Sequence, residues 1–185
     1  MWTKRVIGWS LIMALLGPGC SAAPPEPPVT LRLVDHAGLA AELRACRGRV
    51  SVLDCWSTSC PPCVRDFPRL VALAERYPDT VACLSLSFDY EGIGTPADAV
   101  PKVRAFLESS AARRVTNLLG VEEADAFAVK LDIVGVPAVF VYDRDGRLLE
   151  RFDDESARKR LGRGFTYDDV EATVRAALGA AATRE

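Results

Sequence analysis

The 185-residue sequence holds a single histidine, His36, and only one Cys-x-x-Cys pair. A zinc site draws on about four ligands, so this chain would supply one with only part of its usual set. Lysine plus arginine (23) and aspartate plus glutamate (25) nearly balance at a net charge of -2, and no basic run occurs. The electrostatic footprint of a nucleic-acid binder is therefore missing, and no nucleic acid is expected as a partner. No internal repeat is visible. The apolar stretch near the N-terminus, Val6 to Leu16, is 11 residues long, against the ~20 that a helix needs to cross a bilayer. What is there is an ordinary apolar content in a chain long enough to bury one core, together with six cysteines: Cys20, Cys46, Cys55, Cys60, Cys63 and Cys83.

The first residues carry the pattern of an export signal. Lys4 and Arg5 form a positive segment ahead of the apolar stretch. Gly17-Pro18-Gly19-Cys20 resembles the lipobox of bacterial lipoproteins, in which the cysteine becomes the lipidated first residue of the mature chain. Gly19 and Cys20 fit that pattern, whereas it has Leu where Gly17 stands. A plain cut after Ala23 and an uncleaved anchor are the other readings. The following segment contains Pro24, Pro25, Pro27 and Pro28, which suits an extended, semi-rigid spacer and equally a disordered leader. The expected organisation is a lipoprotein-type signal over 1–19, a lipid anchor and linker over 20–28, and one folded domain over 29–185.

Within that domain, hydrophobic periodicity predicts alternating strands and helices. Strands are expected at Val29–Val34, Val50–Trp56, Val81–Ser87, Val115–Leu119, Ala138–Tyr142 and Leu148–Phe152. The last two flank Asp143-Arg144-Asp145-Gly146, a hairpin signal. Helices are expected at Leu39–Cys46, Pro61–Tyr77 (kinked at Pro68), Ala99–Ala112 and Glu122–Leu131. A final helix runs to Leu178, capped by Thr166 with Asp169 at capping-box spacing. A loop is expected over 89–101, an exposed charged stretch over 153–164, and a frayed tail from Gly179. This pattern gives an α/β fold with a mixed central sheet flanked by helices on both faces.

The chemistry concentrates at Cys60-Pro61-Pro62-Cys63, between a buried strand and an amphipathic helix. The spacing puts both sulfurs on one face of the first helical turn, and prolines are tolerated there because the first N–H groups have no intrahelical partner. The partial positive charge of a helix N-terminus stabilises a thiolate at Cys60, and the thiolate is the nucleophile of disulfide exchange. A structural disulfide and half a zinc site are the competing readings. Cys46, Cys55 and Cys83 read as buried small hydrophobes, with a disulfide among them left open.

The run Val52-Leu53-Asp54-Cys55-Trp56-Ser57-Thr58-Ser59-Cys60-Pro61-Pro62-Cys63 resembles the thioredoxin superfamily. Val64-Arg65-Asp66-Phe67-Pro68 and Gly135-Val136-Pro137 narrow the resemblance to the ResA/TlpA-like branch of extracytoplasmic thiol-disulfide oxidoreductases, some of which serve cytochrome c maturation. The resemblance implies a thioredoxin-like fold over roughly residues 29–178. It makes Cys60 the nucleophile, Cys63 the resolving cysteine and Cys60–Cys63 the redox-active disulfide. Pro137 becomes a cis-proline facing the dithiol, with Val136 offering backbone groups to an extended client. Trp56, Pro61 and Pro62 complete the expected client contacts, with a pure core role equally open for Trp56. Asp54 and Asp66 compete as proton acceptors for Cys63. Ser59 departs from the family, where many relatives place Trp. No cofactor and no metal are implied. The partners implied are thiols and disulfides of envelope proteins, a membrane-bound electron donor or acceptor, and the membrane itself through Cys20. A monomer facing the periplasm is expected. A non-catalytic binding module on the same fold is the alternative.

Overall fold

The computed structural model describes residues 27–182. The signal segment, Cys20 and the linker up to residue 26 lie outside the described residues. Six strands form one sheet in the order β1-β4-β3-β2-β5-β6: β1 (Arg32–Val34), β2 (Val50–Trp56), β3 (Val81–Ser87), β4 (Thr116–Gly120), β5 (Ala138–Tyr142) and β6 (Leu148–Phe152). The strands β1 to β4 pair in parallel, while β5 runs antiparallel to β2 and β6 antiparallel to β5. The sheet is thus mixed, and its thioredoxin-like arrangement follows the sequence pattern of βα units ending in a hairpin.

The helices are α1 (His36–Ala45), α2 (Pro61–Arg76), α3 (Pro96–Ser109), α4 (Ala124–Lys130), α5 (Asp154–Leu161) and α6 (Tyr167–Ala182). On one face of the sheet, Val50, Val52 and Trp56 of β2 pack with Phe67, Leu70 and Leu73 of α2, Val103 and Leu107 of α3, and Val170 and Val174 of α6. On the other, Leu53 and Cys55 pack with Leu39 of α1 and Phe127 and Ala128 of α4. Strand alternation sets this division. It also fixes that Asp54, two residues from Val52 and from Trp56, faces the side of α2 and α6.

The structure departs from the sequence reading in several respects. First, α3 begins at Pro96 rather than Ala99. The Asp98 carboxylate accepts from the Thr95 N–H (2.7 Å) and hydroxyl (2.9 Å), and Pro96 suits the first helical position, so the helix start overrides the loop composition. Second, the charged stretch 153–164 contains α5. Asp153 accepts from Ser156 N–H at 2.7 Å, Ser156 Oγ accepts from Asp153 N–H at 3.1 Å, and Gly162 closes the helix at φ 68°. Ala157 is its buried contact. Third, α1 begins at His36 rather than Leu39 and β1 at Arg32 rather than Val29, whereas α2 runs from Pro61 to Arg76 as one helix with Pro68 inside it, as the sequence pattern has it. Fourth, α6 continues past Gly179 to Ala182. Cys46, Cys55 and Cys83 are buried and unbonded. Burial pushes the Cys55 thiol well up and the Cys83 thiol to about 12, which leaves both without thiolate character.

Candidate active site

Strand β2 ends at Trp56, and the chain reaches α2 through Ser57, Thr58 and Ser59. Cys60 is the N-cap of α2, with Pro61 and Pro62 in the first two helical positions. Its Sγ accepts from the Cys63 N–H at 3.3 Å, so the sulfur occupies the place that a capping oxygen takes elsewhere. Cys60 and Cys63 form a disulfide with their Cα atoms 5.3 Å apart. The two sulfurs are not equivalent: Cys60 is half-buried, whereas Cys63 is 5% exposed. Exposure together with the field of a helix N-terminus makes Cys60 the better attacking group.

The Val136-Pro137 peptide bond is cis and lies immediately before β5. Pro137 lines a small cleft of about 170 Å³ with Asp54, Pro62, Cys63, Arg65, Asp66 and Tyr167. Val136 and Gly135 line a second cavity, of about 390 Å³, with Ser57 and Ser59. The turn before β5 therefore borders both the cleft that Cys63 lines and the cavity beside the loop 57–59.

The two acidic candidates differ sharply. Asp54 is 5% exposed, and its Oδ2 accepts a hydrogen bond from the Tyr167 hydroxyl. Burial pushes its carboxyl up to about 7; the Tyr167 bond works against the rise and the charge of Asp66 adds to it. Asp66 has a half-exposed side chain gripped by Arg65, Nε to Oδ1 at 2.9 Å and Nη2 to Oδ2 at 2.8 Å. The Arg65 guanidinium holds that carboxyl below its ordinary value. Both acids line the cleft of Cys63, but Asp54 alone changes protonation near neutrality.

Trp56 occupies another place than its expected role requires. It is fully buried, with ring centroids 4.9 Å from Phe67 and 4.6 Å from Phe106, so it has no surface to offer a client and serves as the packed floor under the loop 57–59. Its Nε1 has no hydrogen-bond partner among the described residues.

Two residues escaped the sequence reading. Tyr167 is one; it stands 113 residues from Asp54, and no local pattern marks it. Asp89 is the other. Its side chain is wholly buried yet meets Lys102 Nζ at 2.9 Å. It accepts from Thr58 N–H (3.1 Å), the Thr58 hydroxyl, Ser57 Oγ (3.3 Å) and Ser87 Oγ (2.7 Å). Burial pushes the Asp89 carboxyl up, but these donors together outweigh it and hold the group below its ordinary value. Ser57 Oγ in turn lies 2.8 Å from Ser59 Oγ, and Cys60 N–H donates to Ser57 O at 3.1 Å. Asp89 thus fixes the loop that delivers Cys60. The alternation Ser85, Ser87, Asp89 at the end of an otherwise apolar strand is the sequence signal that could have located it. Among the described residues no group of three metal-ligating side chains occurs.

Comparison with known proteins gives a consistent result. A family model described as Redoxin matches residues 22–164. A secreted disulfide oxidoreductase of Mycobacterium tuberculosis, described as homologous to E. coli DsbE, superposes with a TM-score of 0.53 at 17% identity, over 72% of this chain and 85% of that one. A putative thiol:disulfide interchange protein DsbE of Chlorobium tepidum gives a TM-score of 0.53 at 20% identity, over 74% and 84%.

Two outcomes follow from the buried acids. Asp54 has a folded-state value of about 7 against about 3.9 when unfolded. The folded state therefore holds a proton that the unfolded state has released, and stability falls as pH rises between those values. Asp54→Asn removes that loss. Its stability relative to the native protein should rise by up to about 3 kcal/mol from about pH 5 to about pH 8; denaturation curves with a constant difference would contradict this. Asp89→Ala strands the donors of Thr58, Ser57 and Ser87 and should cost about 2–4 kcal/mol in urea unfolding, with a smaller loss in Asp89→Asn.

Proposed function

The chain belongs to the Redoxin family and has the fold of the thiol-disulfide oxidoreductases, and from that premise we propose that it exchanges disulfides with protein clients of the bacterial cell envelope. The observation that carries this reading is the half-buried Cys60 sulfur at the N-terminus of α2, bonded to a buried Cys63. In the reducing direction, the Cys60 thiolate attacks a client disulfide. A Cys60–client bond forms, and the client's other sulfur leaves and takes up a proton. Asp54 accepts the Cys63 proton, and the Cys63 sulfur attacks Cys60 Sγ. The second client sulfur leaves, the client is reduced, and Cys60–Cys63 is left oxidised. The oxidising direction is the reverse sequence.

Val136, half-buried beside the cis-proline, offers backbone groups to an extended client segment, and Pro61, exposed at the head of α2, borders the same approach. Lipidation at Cys20 with the proline-rich linker would hold the domain off a membrane surface, facing the periplasm, as a monomer. The secreted relative and the N-terminal signal pattern support export. The finer assignment is reduction of a client such as apocytochrome c, with a membrane-bound donor recharging the dithiol. It rests on the resemblance of Val64–Pro68 and Gly135-Val136-Pro137 to the ResA/TlpA-like branch.

The test is trapping in cells. Cys63→Ser should accumulate mixed disulfides with envelope proteins that dissolve on reduction, seen on non-reducing gels, while Cys60→Ser should accumulate none and lose turnover on a disulfide substrate. Absence of trapped species from Cys63→Ser, with a Cys60→Ser strain of unchanged phenotype and partner binding, would favour a binding module instead.

A further inference from the structure

Tyr167 is the first residue of α6 and is 5% exposed. Its position is fixed on both sides. The Asp169 carboxylate accepts from Thr166 N–H at 2.8 Å and from its hydroxyl at 3.0 Å, which sets the start of the helix. Val170 and Val174 anchor the next turns in the same core as Val52 and Trp56. The phenol thus enters the core from the opposite end of the domain's sequence and meets the one carboxylate on the helical side of β2. The Tyr167 hydroxyl bonds Asp54 Oδ2. The second oxygen, Oδ1, has no hydrogen-bond partner among the described residues, and the cleft that Asp54 and Tyr167 line is the one Cys63 lines.

We propose that Tyr167 is a positioning residue for disulfide exchange: its hydroxyl holds Asp54 in place and keeps it ionised, so that the free carboxylate oxygen can take the Cys63 proton. The proposal rests on the reading of Asp54 as the proton acceptor. In the step concerned, the Cys63 S–H bond breaks and its proton passes to Asp54. The Cys63 sulfur bonds Cys60 Sγ, and the Cys60–client bond breaks with its electron pair on the client sulfur, which takes a proton from solvent. No further reactant enters.

The physical case is one of competing effects. A carboxylate as deeply buried as Asp54 is driven toward its neutral form, and a neutral acid cannot accept a proton. Of the groups around it, few oppose that drive. Asp66 on α2 adds negative charge, with Arg65 committed to Asp66. Asp154 of α5 stands at the cleft rim. Burial keeps Cys55 on β2 and Cys83 on β3 neutral as thiols, and β5 presents Val139. Of the groups that set the protonation of Asp54, only the Tyr167 hydroxyl favours the ionised form, and hydrogen bonds to a charged group are the stronger kind. Burial keeps the phenol itself protonated, well above its ordinary range, so it acts as a donor throughout.

The test isolates the resolving step. The reduced protein is mixed with dithiobis-nitrobenzoate, which releases one coloured thiolate when Cys60 attacks and a second when Cys63 resolves the mixed disulfide. Stopped-flow absorbance follows both phases from about pH 5 to about pH 9. In the native protein the second phase should lose rate on acidification with a midpoint near 7. In Tyr167→Phe, which keeps the ring, the first phase should be unchanged and the midpoint of the second should move up by about one pH unit or more. Its rate should then be several-fold lower at neutrality and recover in alkali. A midpoint that stays put, or a second phase slowed equally at every pH, would overturn the proposal. Asp54→Asn separates the two claims. If it abolishes the midpoint while Tyr167→Phe leaves it in place, only the role of Tyr167 fails. If Asp54→Asn itself keeps the midpoint, the reading of Asp54 fails, and this proposal with it.

Discussion

The burial of β2 on both faces is the constraint on which the rest of the molecule depends. All seven of its residues are buried, between β3 on one edge and β5 on the other. A strand in that position cannot shift register without moving its whole apolar set to the wrong face. Its end is therefore a fixed point, and the loop 57–59 and the start of α2 hang from it. The paired register also brings Val139 of β5 opposite Asp54 and Ala138 opposite Cys55. The cis-proline one residue earlier is thereby carried to the edge of the dithiol. The positions of Cys60, Cys63 and the cis-proline are consequences of one strand's packing.

That same strand carries a carboxylate into the core, and a second enters just beyond β3. The two buried acids have opposite fates. Asp89 gathers donors from Thr58, Ser57 and Ser87 and a cation from Lys102, and stays ionised. Asp54 has one side-chain donor among the described residues, Tyr167, and burial lifts it to about 7. Burial alone raises both; the number and charge of the donors decide the outcome. A fully satisfied carboxylate serves as a bracket for the loop in front of Cys60. A sparingly satisfied one titrates near neutrality in the cleft that Cys63 also lines. The division of labour between structure and chemistry is thus set by how many hydrogen bonds each acid receives.

The parts of this arrangement legible in the sequence are those written in local patterns. The Cys-Pro-Pro-Cys junction, the apolar runs of β2 and β3, the hairpin turn and the Thr166–Asp169 cap each depend on residues within a few positions of one another. Pro137 was accessible through the resemblance of Gly135-Val136-Pro137, since an X-Pro dipeptide alone favours trans. Tyr167 could not be read, because its partner lies on another element more than a hundred residues away. The sequence leaves Trp56 open between the site and the core for a related reason. A tryptophan next to a reactive loop has the same local sequence whether its ring faces solvent or, as here, Phe67 and Phe106. The helix α5 is obscured by charge, although its Asp153–Ser156 box and Gly162 are present; its single buried contact, Ala157, gives too weak an apolar period to outweigh six polar or charged neighbours. The choice between Asp54 and Asp66 needed burial and partners, which composition does not carry.

The central claim is that Cys60 and Cys63 form an exchanging couple rather than a structural bridge. The most direct measurement is a redox titration of the purified protein in glutathione and dithiothreitol buffers, with thiol trapping at each poise. The account predicts a single two-electron transition at this pair, at a potential between about -270 and -120 mV, the range of thioredoxin-like reductants and oxidants. A disulfide that remains oxidised below about -300 mV, as structural bridges do, would contradict it.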